Sequence, residues 1–222
     1  PQEKEAVEQI QEKDETMRQS LFYDQVKIAG PQKKIMEFQE ANQFMEDKDV
    51  KVFDRLCASL ADPTKYYLTR VDDYGAALLV RLVEQPVDRV FPCLDLYRIF
   101  LTHPDMTMHF KKFEEGVSRV YSMMTVLENK QAGDPAKMLA LRCLCNMFKD
   151  QSAIYALREK RQKVIESVSP HLLNPKATVR ESAITVLLNY SVQFLMKDDQ
   201  EGKIQCLSAL SALAGQKDSL DE

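Results

Sequence analysis

The sequence predicts an all-α chain arranged as a helical solenoid, and three observations carry that expectation. Apolar residues recur at a 3.6-residue period in successive segments divided by Pro- or Gly-marked turns. No stretch alternates at period two, and the composition is poor in Gly (6) and lacks Trp (0), while Leu, Ala, Lys, Glu and Met are common. One helix is also written twice. Met138–Phe148 (MLALRCLCNMF) and Ser182–Phe194 (SAITVLLNYSVQF) each carry a lone amide, Asn146 and Asn189, with a small residue, Ala140 or Ala183, six positions earlier. The two amides stand 43 residues apart, inside the roughly 40–47-residue period of armadillo and HEAT repeats. A bundle would also alternate helices and turns; the repeat spacing favours the solenoid.

The elements follow in order. Residues 1–45 read as a charged N-terminal arm or linker with helical segments. Val7, Ile10, Met17 and Leu21 fall near helical spacing, so a surface helix and a solvated arm both fit. Gly30-Pro31 marks a break, and Lys33 to Met45 reads as a helix with Ile35, Phe38, Ala41, Asn42 and Met45 on one side. The main domain is placed at 46–215. Its first helix, Asp49 to Leu60, shows a stripe of Val52, Phe53, Leu56, Cys57 and Leu60 and stops at Asp62-Pro63. Tyr74 to Val83 is the next, ending near Pro86. Asp88 to Leu101 follows, with Pro92 tolerable in a first turn and His103-Pro104 closing it. His103 is read as a helix-terminal residue favoured by the dipole. His109 to Leu127, the first amide helix after Gly133-Asp134-Pro135, and Asp150 to Ser167 come next. Pro175 to Phe194 carries the second amide. Lys197 to Gly202 reads as a polar connector before a last helix over Lys203 to Ala214, and 216–222 as a polar tail.

Composition narrows function. The formal net charge is −4, which does not suggest nucleic acid or an anionic membrane as partner. Five cysteines, Cys57, Cys93, Cys143, Cys145 and Cys206, are odd in number and lie in apolar helical runs, as expected of reduced thiols in cytosol or nucleus. No apolar run reaches about 18 residues and no signal-peptide pattern opens the chain. It starts at Pro1, which reads as a piece of something longer.

No Gly-rich phosphate loop, HExxH or CxxC appears. Cys143 and Cys145 are two apart on a helix, so they point about 200° from one another and cannot share a metal. The three histidines, His103, His109 and His171, fall at helix ends, and the acidic pairs Asp72-Asp73 and Asp198-Asp199 read as loop solvation. No catalytic residue, metal site or cofactor is assigned. A Cys–His pair has no local signature here.

The amides point to binding. An Asn inside a leucine-rich helix is a poor helix former and costly to bury unpaired. It either fixes the backbone of a bound peptide, as such residues do in armadillo grooves, or hydrogen-bonds a neighbouring helix. A third, weaker repeat match puts Arg98 (in FPCLDLYR) at the position of the Asn, 48 residues before Asn146. If the three helices share a face, Arg142 and Lys149 flank Asn146, Leu94, Asp95 and Leu101 flank Arg98, and Thr185, Val186 and Val192 flank Asn189. Arg98, Arg142, Lys149, Asn146 and Asn189 then make a locally basic groove for an acidic extended peptide, with Arg binding carboxylates and amides the backbone. The competing reading pairs Arg142 with Asp95 between helices. A receptor for basic peptides would need an acidic, Trp-rich groove, which this sequence lacks.

VFPCLDLYRIFLTHP (Val90–Pro104), KMLALRCLCNMF (Lys137–Phe148), ITVLLNYSVQF (Ile184–Phe194) and EGKIQCLSALS (Glu201–Ser211) resemble, in order and spacing, the PUL domain family. The resemblance covers about Asp49 to Leu213. It implies an armadillo-like right-handed superhelix of stacked helices without enzymatic activity, acting in ubiquitin-dependent turnover. Its basic groove would bind the acidic, Tyr-containing C-terminal tail of the valosin-containing AAA ATPase. Arg98 falls in the family's F-P-x-L-D-x-x-R motif, Arg142 and Asn146 in L-A-L-R-x-x-C-N, and Asn189 in L-N-Y-S. Ubiquitin itself would be bound only through upstream domains absent here. Family members continue beyond the last helix, so the C-terminal repeat reads as incomplete, with Leu207, Leu210 or Leu213 exposed. The alternative is a general armadillo- or HEAT-type scaffold with another partner. The discriminating geometry is whether Arg98, Arg142, Asn146 and Asn189 lie on one face.

Overall fold

The computed structural model describes residues 19–110 and 113–217; the side chains of residues 108, 109, 113 and 212–217 fall outside it. Among the described residues there is helix and turn but no strand. The expectations for Val7, Ile10 and Met17 and for the end of the tail fall outside these residues. The α-helices are α1 (Ala29–Asn42), α2 (Asp47–Leu60), α3 (Asp73–Val83), α4 (Phe91–Phe100), α5 (Met106–Phe110), α6 (Phe113–Glu128), α7 (Asp134–Met147), α8 (Gln151–Glu159), α9 (Arg161–Val168), α10 (Ala177–Met196) and α11 (Gln200–Lys217). Short 3-10 turns cover Pro63–Lys65 and Ser169–Leu173. The fold is all-helical and armadillo-like.

Local chemistry sets the helix starts. Glu46 and Asp49 form a reciprocal capping box at α2. The Asp72 carboxylate accepts from Gly75 N–H at 2.7 Å at the start of α3, and Asp150 accepts from Ser152 and Ala153 N–H at α8. Asp199 accepts from Gly202 N–H at 2.9 Å in the first turn of α11. In each acidic pair, then, one member caps a helix.

Helix α7 is central. Nine of its residues, from Ala136 to Met147, are buried all round its circumference, because α4, α6 and α10 pack against it. The two thiols show how it is enclosed. Cys143 Sγ–H points to Leu94 C=O of α4, and Cys145 Sγ–H to Ser182 C=O of α10, so they face opposite sides as their spacing requires. Tyr190 is a packing residue. Its ring meets Phe148 edge-on at 5.0 Å and stacks on Phe194 at 5.4 Å, and its hydroxyl donates to Leu157 C=O at 2.8 Å.

Several element boundaries differ from the sequence reading. Gly30-Pro31 lies inside the first turn of α1, where a proline removes no intrahelical hydrogen bond. Ala41 and Asn42 are exposed, while Ile35 and Met45 are buried. The helix expected over 150–167 is two, α8 and α9, because Lys160 leaves helical geometry at φ −109°, ψ 13°. That break re-aims the chain so that Ile154 and Leu157 of one helix and Val164 and Val168 of the next all reach the core. Of the helix expected from His109, the described residues show helix over 106–110 and over 113–128. Gly202 belongs to α11 rather than to a connector. Residues 20–42 pack on the same body as the rest: Phe38 of α1 meets Phe91 of α4 edge-on at 6.3 Å, and Ile28 and Ile35 join the shared core. On α11, Ile204, Leu207 and Leu210 are exposed; Leu213 is outside the described side chains.

Candidate peptide-binding face

Helices α4, α7 and α10 lie side by side, and their order puts Arg98, Asn146 and Asn189 in one row. All three are buried, at 6%, 0% and 0% exposure. Each Asn first serves its neighbour. Asn146 Nδ2 donates to Arg98 C=O at 2.9 Å, and Asn189 Nδ2 reaches Cys145 C=O at 3.4 Å. Those carbonyls belong to the last turns of α4 and α7, where helices run short of intrahelical donors; Cys145 C=O also accepts from Phe148 N–H at 3.3 Å. The neighbouring-helix role is therefore real, and it uses only one N–H of each amide.

The remaining amide groups hold an extended piece of this same chain. Asn189 Oδ1 accepts from Leu21 N–H at 2.8 Å, and its Nδ2 donates to Leu21 C=O at 2.9 Å. One repeat further, Asn146 Oδ1 accepts from Tyr23 N–H at 2.8 Å and Nδ2 donates to Tyr23 C=O at 3.0 Å. Arg98 completes the row, donating through Nη1 to Tyr23 C=O at 2.5 Å and Gln25 C=O at 3.2 Å. Residues 21, 23 and 25 are gripped in turn because alternate residues of an extended chain face the same way. The segment runs opposite to the order of the helices, from α10 through α7 to α4. Ile28 then buries itself and α1 begins.

Side-chain chemistry supplements the backbone grip. The Arg142 guanidinium lies 4.5 Å from the centre of the Tyr23 ring, an arrangement that favours a cation over a π face. Its Nε also donates to Ser182 Oγ at 3.3 Å. The Tyr23 hydroxyl sits 3.1 Å from Thr185 Oγ1. Since Thr185 spends its own proton on Glu181 C=O at 2.8 Å, Tyr23 is the donor. Lys149 Nζ stands 5.1 Å from the Phe22 ring centre and 3.8 Å from the Asp24 carboxylate. Burial lowers the Lys149 pKa, and Asp24 opposes that shift.

All five sequence-predicted residues thus lie along one face. Asp95 pairs with Arg98, its neighbour one turn on, at 2.8 Å to Nε and 2.6 Å to Nη2, and not with Arg142. This fixes the guanidinium plane and leaves Nη1 free to point at the segment. Sequence reasoning missed the occupant. Leu21 lies in the extended stretch and not on a helix, which is why Leu21-Phe22-Tyr23 fits no period. Three large apolar residues in a row within a charged arm, just before Gly30-Pro31, were the available signal.

Other chemistry is quiet. Among the described residues no group of three or more His, Cys, Asp and Glu could hold a metal. Burial pushes the Cys57 and Cys93 thiols up to about 12 and raises the others, which keeps them from acting as thiolates. His103 is a buried neutral residue and not a dipole-stabilised cation. Its Nδ1 accepts from Asp105 N–H at 3.1 Å, its Nε2 lies 3.1 Å from Thr69 Oγ1, and burial lowers its pKa. His171 Nε2 meets Leu127 C=O at 3.2 Å. A cavity of about 550 Å³ beside His171, Glu128 and Lys163 lies between α6 and α9, away from the row. Within the described residues no helix is long and apolar enough to cross a membrane.

Fold and face together define a class: an armadillo-like domain that grips extended backbone with a row of amides and an arginine. Comparison with known proteins specifies it further. The PUL domain family profile matches residues 16–222, and the chain belongs to that family. It is 28% identical over 186 residues to phospholipase A-2-activating protein of Xenopus laevis, covering 84% of this chain and 23% of that protein. It is 30% identical over 120 residues to the ubiquitin fusion degradation protein 3 homolog of Caenorhabditis elegans, covering 53% of this chain and 14% of that protein. The chain therefore spans less than a quarter of the length of these relatives.

Proposed function

We propose that this domain is a non-enzymatic adaptor whose row of Arg98, Asn146 and Asn189, flanked by Arg142 and Lys149, binds an extended acidic peptide containing tyrosine. The partner we assign is the C-terminal tail of the valosin-containing AAA ATPase, in ubiquitin-linked protein turnover in the cytosol or nucleus. One observation supports this above the rest. The row already holds an extended backbone carrying a tyrosine followed by an aspartate, with the ring under Arg142 and the carboxylate beside Lys149. Backbone clamps give affinity without regard to sequence. Arg142 and Lys149 add the preference for an aromatic and an acid. The nematode relative's name, ubiquitin fusion degradation protein 3 homolog, places that protein in degradation of ubiquitin fusions. We extend the pathway to this chain by family membership.

The test is fluorescence anisotropy with a labelled acidic peptide ending near a tyrosine, against a basic peptide of equal length. The acidic peptide should bind in a salt-sensitive manner, and Lys149→Glu and Arg98→Asp should each weaken it by tenfold or more. Equal binding of both peptides by folded protein, or indifference to Lys149→Glu, would defeat the reading.

A further inference from the structure

We infer that the cavity between α6 and α9 is a second binding site, built to take an arginine side chain from a basic segment of a protein partner. It is separate from the row of Arg98, Asn146 and Asn189 and does not depend on the function proposed for that row. The cavity has a volume of about 550 Å³. Met124 and Leu127 of α6, both buried, and Pro170 in the 3-10 turn after α9 give it an apolar wall, and Tyr121 adds an aromatic face. Its polar centre is His171, which is only 7% exposed. His171 Nε2 lies 3.2 Å from Leu127 C=O, and a carbonyl only accepts, so Nε2 carries the proton. Burial lowers the His171 pKa and keeps the ring neutral, which leaves Nδ1 as an acceptor. Nδ1 has no hydrogen-bond partner among the described residues and is not sealed in the core; it opens on the cavity that the ring lines. A buried ring held in one tautomer with its acceptor unused is costly unless a donor arrives.

The charges around that acceptor select a cation. Glu128, the last residue of α6, and Glu166 of α9 both line the cavity. Glu128 Oε1 accepts from the buried Ser167 hydroxyl, and Glu166 Oε1 accepts from Gln162 Nε2 at 2.9 Å. Each carboxylate keeps its second oxygen, and neither has a cationic partner among the described residues. Lys163 also lines the cavity, but its Nζ stays with Tyr121, 5.6 Å from the ring centre and 3.5 Å from the hydroxyl. The C-terminal end of α6, the negative end of its dipole, adds to the attraction for positive charge. Three unused acceptors, net negative charge and an apolar wall call for a cation with several N–H donors on an aliphatic stem. Arginine supplies five donors in a planar fork and is more weakly hydrated than lysine, so it suits a partly buried site better. With an acidic peptide on the row and a basic segment here, the domain can hold two partners of opposite charge at once.

The experiment titrates the full ¹⁵N-labelled chain with the end-blocked peptide GSRSG and, in parallel, with the same peptide carrying citrulline, which keeps the shape of arginine and removes its charge. Nuclear magnetic resonance reads the backbone amides and the His171 ring nitrogens. The arginine peptide should give saturable shifts at residues 124–128 and 163–172 and move the His171 Nδ1 resonance; the citrulline peptide should bind more weakly by about tenfold. Glu128→Gln and Glu166→Gln keep the oxygens that accept from Ser167 and Gln162, so both variants should fold. Each should weaken the arginine peptide by about threefold, and the double variant by about tenfold. Lys149→Glu, on the row, should leave these shifts unchanged. Equal binding of the two peptides, shifts confined to other parts of the chain, no saturable shift, or unaltered binding by the folded double variant would each overturn the inference.

Discussion

Asn146 meets Tyr23 through both of its side-chain heteroatoms, taking the N–H at 2.8 Å and giving a proton to the C=O at 3.0 Å, while its other proton goes to Arg98 C=O. One fully buried amide thus joins α7, α4 and a segment more than a hundred residues away in sequence. Replacing it leaves Tyr23 N–H and Arg98 C=O without the partner they have here and removes one of the two donors to Tyr23 C=O, which keeps Arg98 Nη1. A buried group left unpaired costs about 1–3 kcal/mol, and a typical hydrogen bond contributes about 0.5–1.5 kcal/mol. Asn146→Ala should therefore lower unfolding free energy by about 2–4 kcal/mol. Asn189→Ala should cost about half as much, because Leu21 is more exposed and the bond to Cys145 C=O is long at 3.4 Å. Urea unfolding of the two variants reads the difference. Equal costs would mean that the Asn146 contacts to Arg98 and Tyr23 contribute nothing extra.

The extended segment should show an alternating pattern in amide hydrogen exchange. The Leu21 and Tyr23 N–H groups are donated to buried amide oxygens. Phe22 and Asp24 face the other way. Exchange at 21 and 23 should be slower than at 22 and 24, and Asn146→Ala should release 23 more than 21. Uniform rapid exchange over 20–26 would show that the segment spends little time on the face.

Much of this arrangement was legible in the sequence, and the part that was not has a physical reason. The helices were visible because α2, α3 and α6 each bury one stripe, and α7 and α10 because two copies share an amide in register. Arg98 was visible only as a weaker third copy. The Lys160 break was not visible, because a single residue leaving helical geometry alters no periodicity that Ile154, Leu157, Val164 and Val168 would reveal. The occupied state of the face was hidden most deeply. Asn146 reads the same whether it holds a foreign backbone or Tyr23, since a backbone clamp takes no account of its occupant's sequence. Contact between residues 23 and 146 is long-range information that no local pattern carries.

Stability should fall as the solution is acidified through the histidine range. His103 and His171 are buried, and desolvation lowers both pKa values below the ordinary 6.5. In the unfolded chain they bind protons at about pH 6.5 and below; in the folded chain they do so only at lower pH. Unfolding thus takes up protons in that window, and stability declines as pH falls through it. Asp49 adds a second, lower window. Burial alone would raise its pKa, but bonds from the Tyr74 hydroxyl at 2.6 Å and Arg81 Nη2 at 2.7 Å bring it below the usual carboxylate value of 3.8. Its contribution is present above that value and is lost as pH falls through the folded pKa. Denaturation midpoints at pH 7.5, 6 and 5 should decline, and the double variant His103→Gln, His171→Gln should flatten this part of the curve. A decline unaltered in the double variant would assign it to other groups.

Gly202 and Gly30 should respond oppositely to alanine. Both lie in the first turn of a helix, α11 and α1, and neither has positive φ. A Cβ at Gly202 would stand 2.7 Å from Cδ1 and Cε1 of Phe194. That ring cannot yield cheaply, because it is fully buried and stacked on Tyr190, whose hydroxyl is tied to Leu157 C=O. Relief must come from moving α11 away from α10. Overpacking of this kind costs about 1–3 kcal/mol, more than the roughly 0.4–1 kcal/mol that alanine gains by narrowing the unfolded ensemble. At Gly30 nothing lies within 4 Å of the added carbon, so only the gain remains. Gly202→Ala should lower the thermal midpoint by several degrees, and Gly30→Ala should leave it unchanged or raise it slightly. If Gly202→Ala were neutral, the close approach of α11 to Phe194 would not be a constraint on the fold, and the contact that joins the last helix to the amide-bearing α10 would have to be sought elsewhere.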